Sequence, residues 1–348
     1  MSVQWALPML DSLLPSDLMA RLQSTAVDPY YVYPETGNHM PFYHGGTGEL
    51  LKNIPLVKML RVSRRKFRAL CAEGIDIQYD KVFDSASFSA DGTNVTAHFS
   101  DGFTATGTVL VGADGARSRV RSSLLGAAGE ADIIPFGGLN FHVSYGDAQK
   151  ALFVRKYLTP IQAIGVHPDG YWLWISVQDV PHPDDPASWT FQLQTTWRTD
   201  ASSTAAVTSM AAHKARAQTF AEPFRSANVW VPDSTPLHEN KISVWMPVAM
   251  DTRDGRACVV GDAAHPMPFQ RGQGLNHGIA DAVALTRELL DYSQGRKTRL
   301  EGISAYQEEM VKRAGEEVRV GMENTEMLHD WDKVTKSPFF VRGGDKNQ

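Results

Sequence analysis

Two stretches of this chain run from a short, wholly apolar segment through Gly-rich turn residues into a helical pattern. The first is 106–125, TGTVLVGADGARSRVRSSLL. The second begins with the apolar run 257–260, which ends at Gly261-Asp262. A Pro- and Gly-rich loop follows, and then apolar Ile279, Val283, Leu285 and Leu289 fall at helical spacing. The pattern predicts helices over 273–292 and about 301–320 that close one lobe. Near the start, Leu10, Leu13, Leu14, Leu18 and Leu22 predict two short helices over 7–25, interrupted by Pro15. Residues 30–48, rich in Tyr, Pro, Gly and His, read as loop or short strands. Ser63 is a good N-cap for a helix over 64–72, which Gly74 stops, and 75–83 reads as a strand. The segments 95–99 and 103–111 flank Ser100-Asp101-Gly102 and predict a hairpin.

From about Phe136 the texture changes. Segments 139–145, 161–166, 171–177 and 190–196 are aromatic and β-branched, separated by turn chemistry such as His167-Pro168-Asp169-Gly170. They predict a mostly antiparallel sheet, covered by a helix over 203–220. Segment 241–248 leads back to the Asp262 strand. The tail 331–348 reads as loose.

At 348 residues the chain can bury a large core and form two joined lobes. A hydrophobic fraction of 43% and a charged fraction of 21% are those of an ordinary globular protein. The net charge of -5 argues against a nucleic-acid partner. Two cysteines, Cys71 and Cys258, make a disulfide framework implausible and suit a reducing, cytoplasmic setting. No basic-then-apolar leader opens the chain, and no apolar stretch approaches the ~20 residues of a membrane span. The 11 histidines show no metal spacing, so no metal site is expected. The oligomeric state is left open.

In α/β proteins, ligands bind where strands end and helices begin, because a helix N-terminus offers unpaired N–H groups and a partial positive charge. Asp262 at a strand tip can accept hydrogen bonds from ligand hydroxyls, and Gly272 and Gly274 allow close backbone approach. The alternative is a capping aspartate in an ordinary strand–loop–helix unit. Asp114 carries the same ambiguity, since Asp-Gly is a common turn pair. Ser118 can cap the next helix, and Arg119 and Arg121 either reach phosphates or lie on a solvated face. Arg61, Arg64, Arg65, Lys66 and Arg68 are also open to the reading of a charged helix face. Trp172 and Trp174 alternate on one strand, so both fall on one face, which can line a cavity. The run W-L-W-I-S only superficially matches the W-x-W-x-I-P of flavin-dependent halogenases: its isoleucine comes one place early and no proline follows.

The pair GADGARSRVR at 112–121 and GDAAHPMPFQRGQGLN at 261–276 resembles the two inner motifs of the group A FAD-dependent monooxygenases, the para-hydroxybenzoate hydroxylase-like aromatic hydroxylases, and their fungal branch most closely. The resemblance spans residues 3–306. It implies an α/β (α+β) fold with a Rossmann-like FAD/NAD(P)-binding lobe over 1–135 and 245–330, and an inserted β-sheet substrate domain over 136–244. The family's G-x-G-x-x-G pyrophosphate turn is absent from the chain, so the lobe is expected to be N-terminally truncated, lacking its first βαβ unit.

By the same resemblance, Asp262 binds the ribityl chain of FAD. Gly272, Gly274, Leu275 and Asn276 meet the flavin's pyrimidine edge. Asp114 contacts FAD and the nicotinamide, and Arg64 contacts an FAD phosphate or ribose. His265 is expected to orient the Asp262 loop, and no catalytic residue is assigned. NADPH or NADH is the implied cosubstrate, and an aromatic or polycyclic small molecule, in secondary metabolism or aromatic catabolism, is hydroxylated or epoxidised with dioxygen. The missing turn supports a competing expectation: a non-catalytic relative, or an incomplete product unable to hold FAD.

Overall fold

The computed structural model of the protein describes residues 1–56, 58–159, 161–199 and 209–343. Its strands are β1 (Ser2–Val3), β2 (His39–His44), β3 (Leu50–Pro55), β4 (Leu60–Arg61), β5 (Phe83–Phe88), β6 (Val95–Phe99), β7 (Thr104–Gly107), β8 (Leu110–Gly112), β9 (Asp132–Ser144), β10 (Gln162–His167), β11 (Tyr171–Asp179), β12 (Thr190–Arg198), β13 (Glu239–Val244) and β14 (Ala257–Val259). Its α-helices are α1 (Ser16–Ala20), α2 (Arg64–Cys71), α3 (Arg119–Leu125), α4 (Ala148–Arg155), α5 (Met210–Ala217), α6 (Phe224–Val229), α7 (Gly274–Ser293), α8 (Arg299–Leu328) and α9 (Pro338–Arg342). The result is a mixed α/β fold.

The largest sheet has the order β13-β9-β12-β11-β10-β2-β3, antiparallel throughout except where β10 lies parallel to β2. Alternation along β10, β11 and β12 is kept in register, so Ile164, Trp174 and Gln194 form one cross-strand row. Gln162, Ser176 and Gln192 form the next. One face of this sheet buries a core of Leu139, Phe141, Leu173, Ile175, Phe191 and Leu193 under α4, α5 and α6. A separate two-stranded parallel sheet, β8 beside β14, carries both Gly-rich motifs at its C-terminal end.

Several sequence expectations need correction. The segment 75–83 is irregular until Phe83: Asp80 takes φ +58, which breaks an extended run, and Ile75, Ile77 and Tyr79 stay exposed. The hairpin's second arm splits, with β7 pairing β6 and β8 leaving to pair β14. β2 and β3, from a region assigned to the first lobe, extend the large sheet instead. Among the described residues of the expected covering helix, α5 spans Met210–Ala217; 203–208 lie outside the described residues. The tail is not loose up to Gly343: a turn at Val334–Lys336 and α9 bury Val334 and Phe339 against Phe42 and Ile54. Residues 344–348 lie outside the described residues.

The tip of β14 is fixed by a buried polar network. Asp281, on α7, accepts from the Gly261 backbone N–H at 2.7 Å and from His265 Nε2 at 2.7 Å. Its other oxygen accepts from Arg313 Nη2 on α8 at 2.6 Å. Arg313 also donates to His277 Nδ1 and, through Nε, to Glu309. Burial alone would raise the Asp281 pKa, but the His265 hydrogen bond and the charges of His265 and Arg313 outweigh it and hold the carboxyl below its usual range.

Two outcomes follow. Gly112, at the end of β8, would place a Cβ 2.7 Å from Val120 Cβ, where α3 sits tight on the strand. Gly112→Ala should cost about 1–3 kcal/mol, read as a lowered denaturant midpoint at unchanged slope. Asp281→Asn, which strips the charge from a buried pair, should cost about 3–5 kcal/mol. Because the native carboxyl is held low, its stabilisation is present above the unfolded-state value and is lost as pH falls through and below it. Wild-type stability should therefore fall more steeply on acidification than that of the Asn variant, measured as urea midpoints across the acid range.

Candidate flavin and substrate site

β14 ends in a 3-10 turn, Gly261–Ala263, and Gly261 takes φ +59, which a side chain would resist. This turn presents Asp262 at the surface of a cavity of about 320 Å³. The chain continues through His265, fully buried against Asp281, so the expected orienting role of this histidine matches its position. A second 3-10 turn, Phe269–Arg271, closes on Gly272 at φ +67. Then α7 begins, and its N-cap residue Gln273 makes no side-chain capping bond to the first turn. A Cβ added at Gly274 would stand 3.5 Å from Asp262 Oδ1, so the helix start and the aspartate are neighbours.

Asp262, Gly272, Gly274 and Leu275 all line this one cavity. The opposite wall is the free face of the large sheet: Gln162, Ile164, Trp172, Trp174, Gln192 and Gln194. Trp172 and Trp174 thus share the cavity face, as their spacing suggests. The cavity lies between a backbone-rich rim and a side-chain-rich floor. Uncapped N–H groups, an exposed carboxylate and glycines that leave room are features that fit the ribityl and pyrimidine parts of a flavin.

Three expected residues lie elsewhere. Asn276 spends its side chain on fastening β1: it accepts from Gln4 N at 2.7 Å and donates to Ser2 O and Gly272 O. Asp114 accepts from Ser118 Oγ and from the backbone N–H groups of Arg119 and Val120, an N-terminal anchor for α3. Ser118 does cap that helix, accepting from Arg121 N. Arg121 is not available to phosphates, because its guanidinium is buried and bonds the carbonyls of Gly129, Ala263 and Ala116 at 2.6–2.7 Å. Arg64 lines a neighbouring open cleft with Ser63, Arg65, Arg68 and His142.

Sequence reasoning missed two cavity residues. Arg61 is 2% exposed, and burial brings its pKa down to about 10, so it stays charged at neutral pH. Its Nη2 donates to Ser176 Oγ at 2.7 Å and Gln192 Oε1 at 2.9 Å, and its guanidinium lies 4.5 Å from the Trp174 ring centroid. Arg271 pairs with buried Glu317 through Nε at 2.7 Å. Both hid inside ordinary basic composition; only Arg61's place on a strand, apart from the α2 face, could have marked it. Among the described residues no cluster of His, Cys, Asp or Glu could hold a metal, and no helix is long and apolar enough to cross a membrane.

Residues 67–320 match a family described as an FAD binding domain. The chain is 41% identical to the FAD-dependent monooxygenase phnB of Penicillium herquei, over 99% of this chain and 84% of that protein. It is 35% identical to the FAD-dependent monooxygenase cctM of Talaromyces islandicus, over 98% and 85%. In fold it is similar to Klebsiella pneumoniae HpxO, solved with FAD and uric acid, with a TM-score of 0.74 at 17% identity, covering 99% of this chain and 83% of that one. The matched domain and these relatives establish that the chain belongs to the FAD-dependent monooxygenases.

Proposed function

We propose that this monooxygenase hydroxylates or epoxidises an aromatic or polycyclic small molecule, using NADPH or NADH and dioxygen. The observation that carries this reading is the single cavity between the α7 N-terminus and the Trp172–Trp174 face of the sheet. One side suits a flavin and the other a flat apolar ring. Asp262 would hold the ribityl hydroxyls, and the first turn of α7 would place N–H donors against the pyrimidine edge, where negative charge gathers on reduction. Bound FAD supplies the redox chemistry that takes a hydride from the nicotinamide and activates dioxygen. In balance, substrate C–H, O₂, NAD(P)H and a proton give C–OH, NAD(P)⁺ and water.

The chain's own part is to hold the substrate ring against that rim and to exclude water. Phe269, Leu275, Met40 and Phe339 add to the apolar lining. Arg64, on the neighbouring cleft, would meet the phosphate side of the cofactor, and Asp114 would act there only through α3. A role in secondary metabolism accords with the fungal relatives, and a cytoplasmic setting with two unpaired cysteines.

A visible absorption spectrum of the purified chain, before and after FAD titration, tests the first half of this reading. A bound flavin band is expected; a protein that ignores excess FAD would sink it. Asp262→Ala should weaken FAD binding at least about tenfold, the loss of one hydrogen bond to a charged group. NAD(P)H oxidation and oxygen uptake stimulated by a panel of phenolic compounds test the second half.

A further inference from the structure

Residues 75–79 have the pattern of a strand but no partner. They lie between two positive-φ residues, Gly74 and Asp80, and the chain runs through them without a turn or bend. Ile75, Ile77 and Tyr79 alternate with Asp76 and Gln78, the period of two that gives a strand one apolar face. Gln78 Nε2 donates to Asp76 Oδ1 at 3.2 Å, a contact between second neighbours on one side of the chain. Yet among the described residues no backbone N–H or carbonyl of 76–81 bonds another backbone group.

This leaves an unusual surface. Ile75 is 62% exposed, Ile77 38% and Tyr79 63%, three large apolar side chains in one row. An open backbone edge beside an apolar row is a template for another strand. Exposed edges are commonly blunted by lysine or proline, and 75–79 holds neither.

The segment's own sequence states what fits against it. Around Ile77 it is chemically palindromic: Asp76 mirrors Gln78, Ile75 mirrors Tyr79, and Glu73 mirrors Lys81. Two copies related by a two-fold axis through Ile77 would lie antiparallel, with Ile77 against Ile77 and each Ile75 against a Tyr79. Each Asp76 would accept from a Gln78 amide, and each Glu73 would face a Lys81, so no like charges are directly opposed. Centring the axis on Gln78 instead would set Asp76 against Asp80 twice, which like-charge repulsion disfavours. Glu73 and Lys81 are engaged within the chain only by exposed ion pairs with Arg21 and Asp101, which contribute little.

We propose that 73–81 is a self-association surface, on which a second copy of this chain adds its own 73–81 as an antiparallel strand. Pairing gives the open backbone groups partners and sets the two apolar rows side by side. The contact is short, so the association is weak and concentration-dependent, unlike the large interface of a permanent dimer. Tyr79 also lines the Arg64 cleft, so the docked copy sits at the edge of that cleft.

The test uses the full chain. Sedimentation velocity across the micromolar range should show wild type passing from monomer to dimer. Ile77→Lys, which sets like charges on the axis, should weaken dimerisation at least about tenfold. Ile77 is exposed, so this variant keeps the fold, which circular dichroism checks. Hydrogen exchange at the amides of 76–81 should slow as wild-type concentration rises and stay fast in Ile77→Lys. Ile77→Cys in a Cys71→Ser background should form an intermolecular disulfide under mild oxidation, because directly opposed Cβ atoms lie about 4.5–5.5 Å apart. Ile133→Cys in the same background, exposed on β9, should not. A wild type that stays monomeric, a dimer that Ile77→Lys leaves intact, or equal cross-linking through Ile133→Cys overturns the proposal. Slow exchange at 76–81 in a monomer does so too, because it gives the strand a partner within its own chain.

Discussion

The site depends on where Asp281 sits. A carboxylate with no solvent contact is tolerable only when its lone pairs are met, and here the donors come from three directions: the Gly261 backbone, the His265 ring and the Arg313 guanidinium. Each donor belongs to a different piece of the fold. Satisfying one side chain on α7 therefore fixes the tip of β14, the loop after it and the long helix α8. Asp262 follows Gly261 by one residue, so its position on the cavity rim is inherited from that network rather than from contacts of its own. The left-handed conformations at Gly261 and Gly272 bracket the same loop and let it turn twice within a dozen residues.

The two walls of the cavity are built by different physics. The rim is largely backbone, a helix start and two glycines, and it meets a ligand with N–H groups that substitution scarcely changes. The floor is side chains projecting from rows of an antiparallel sheet, where alternation sends every second residue toward the cavity and the others into the core beneath. A change at Trp174 or Gln194 alters the lining of the cavity, whereas a change at Leu173 or Leu193 disturbs packing.

Much of this was legible in the sequence because it is local. The β14 run, the Gly-rich loop, the helices α7 and α8 and the alternating Trp172 and Trp174 are each written in a few consecutive residues, and four of the seven expected cofactor residues converge on the cavity. What stayed hidden depends on pairing between distant segments. Nothing around 39–55 announces that β2 will lie beside β10, or that Phe339 will close over Phe42 and Ile54. Asp114 and Asn276 were recognised as polar residues in the right motifs, but their bonds go to α3 and to β1, which spacing cannot reveal. Arg61 was counted with its basic neighbours, yet Arg64, Arg65 and Arg68 stay exposed on α2 while strand pairing with β1 turns Arg61 inward.

That inward turn ties the two walls of the cavity together. Arg61 pairs through the β4 backbone with Ser2, and Asn276, near the start of α7, bonds both Ser2 O and, two residues on, the Gln4 backbone N–H. Its guanidinium meanwhile bonds Ser176 on β11 and Gln192 on β12. One residue thus bridges the element that starts beside the rim and the sheet that forms the floor, with both ends buried and hydrogen-bonded. The strand β4 is therefore more than a lead-in to α2: it ties the sheet that forms the cavity floor to β1, which Asn276 fastens to α7.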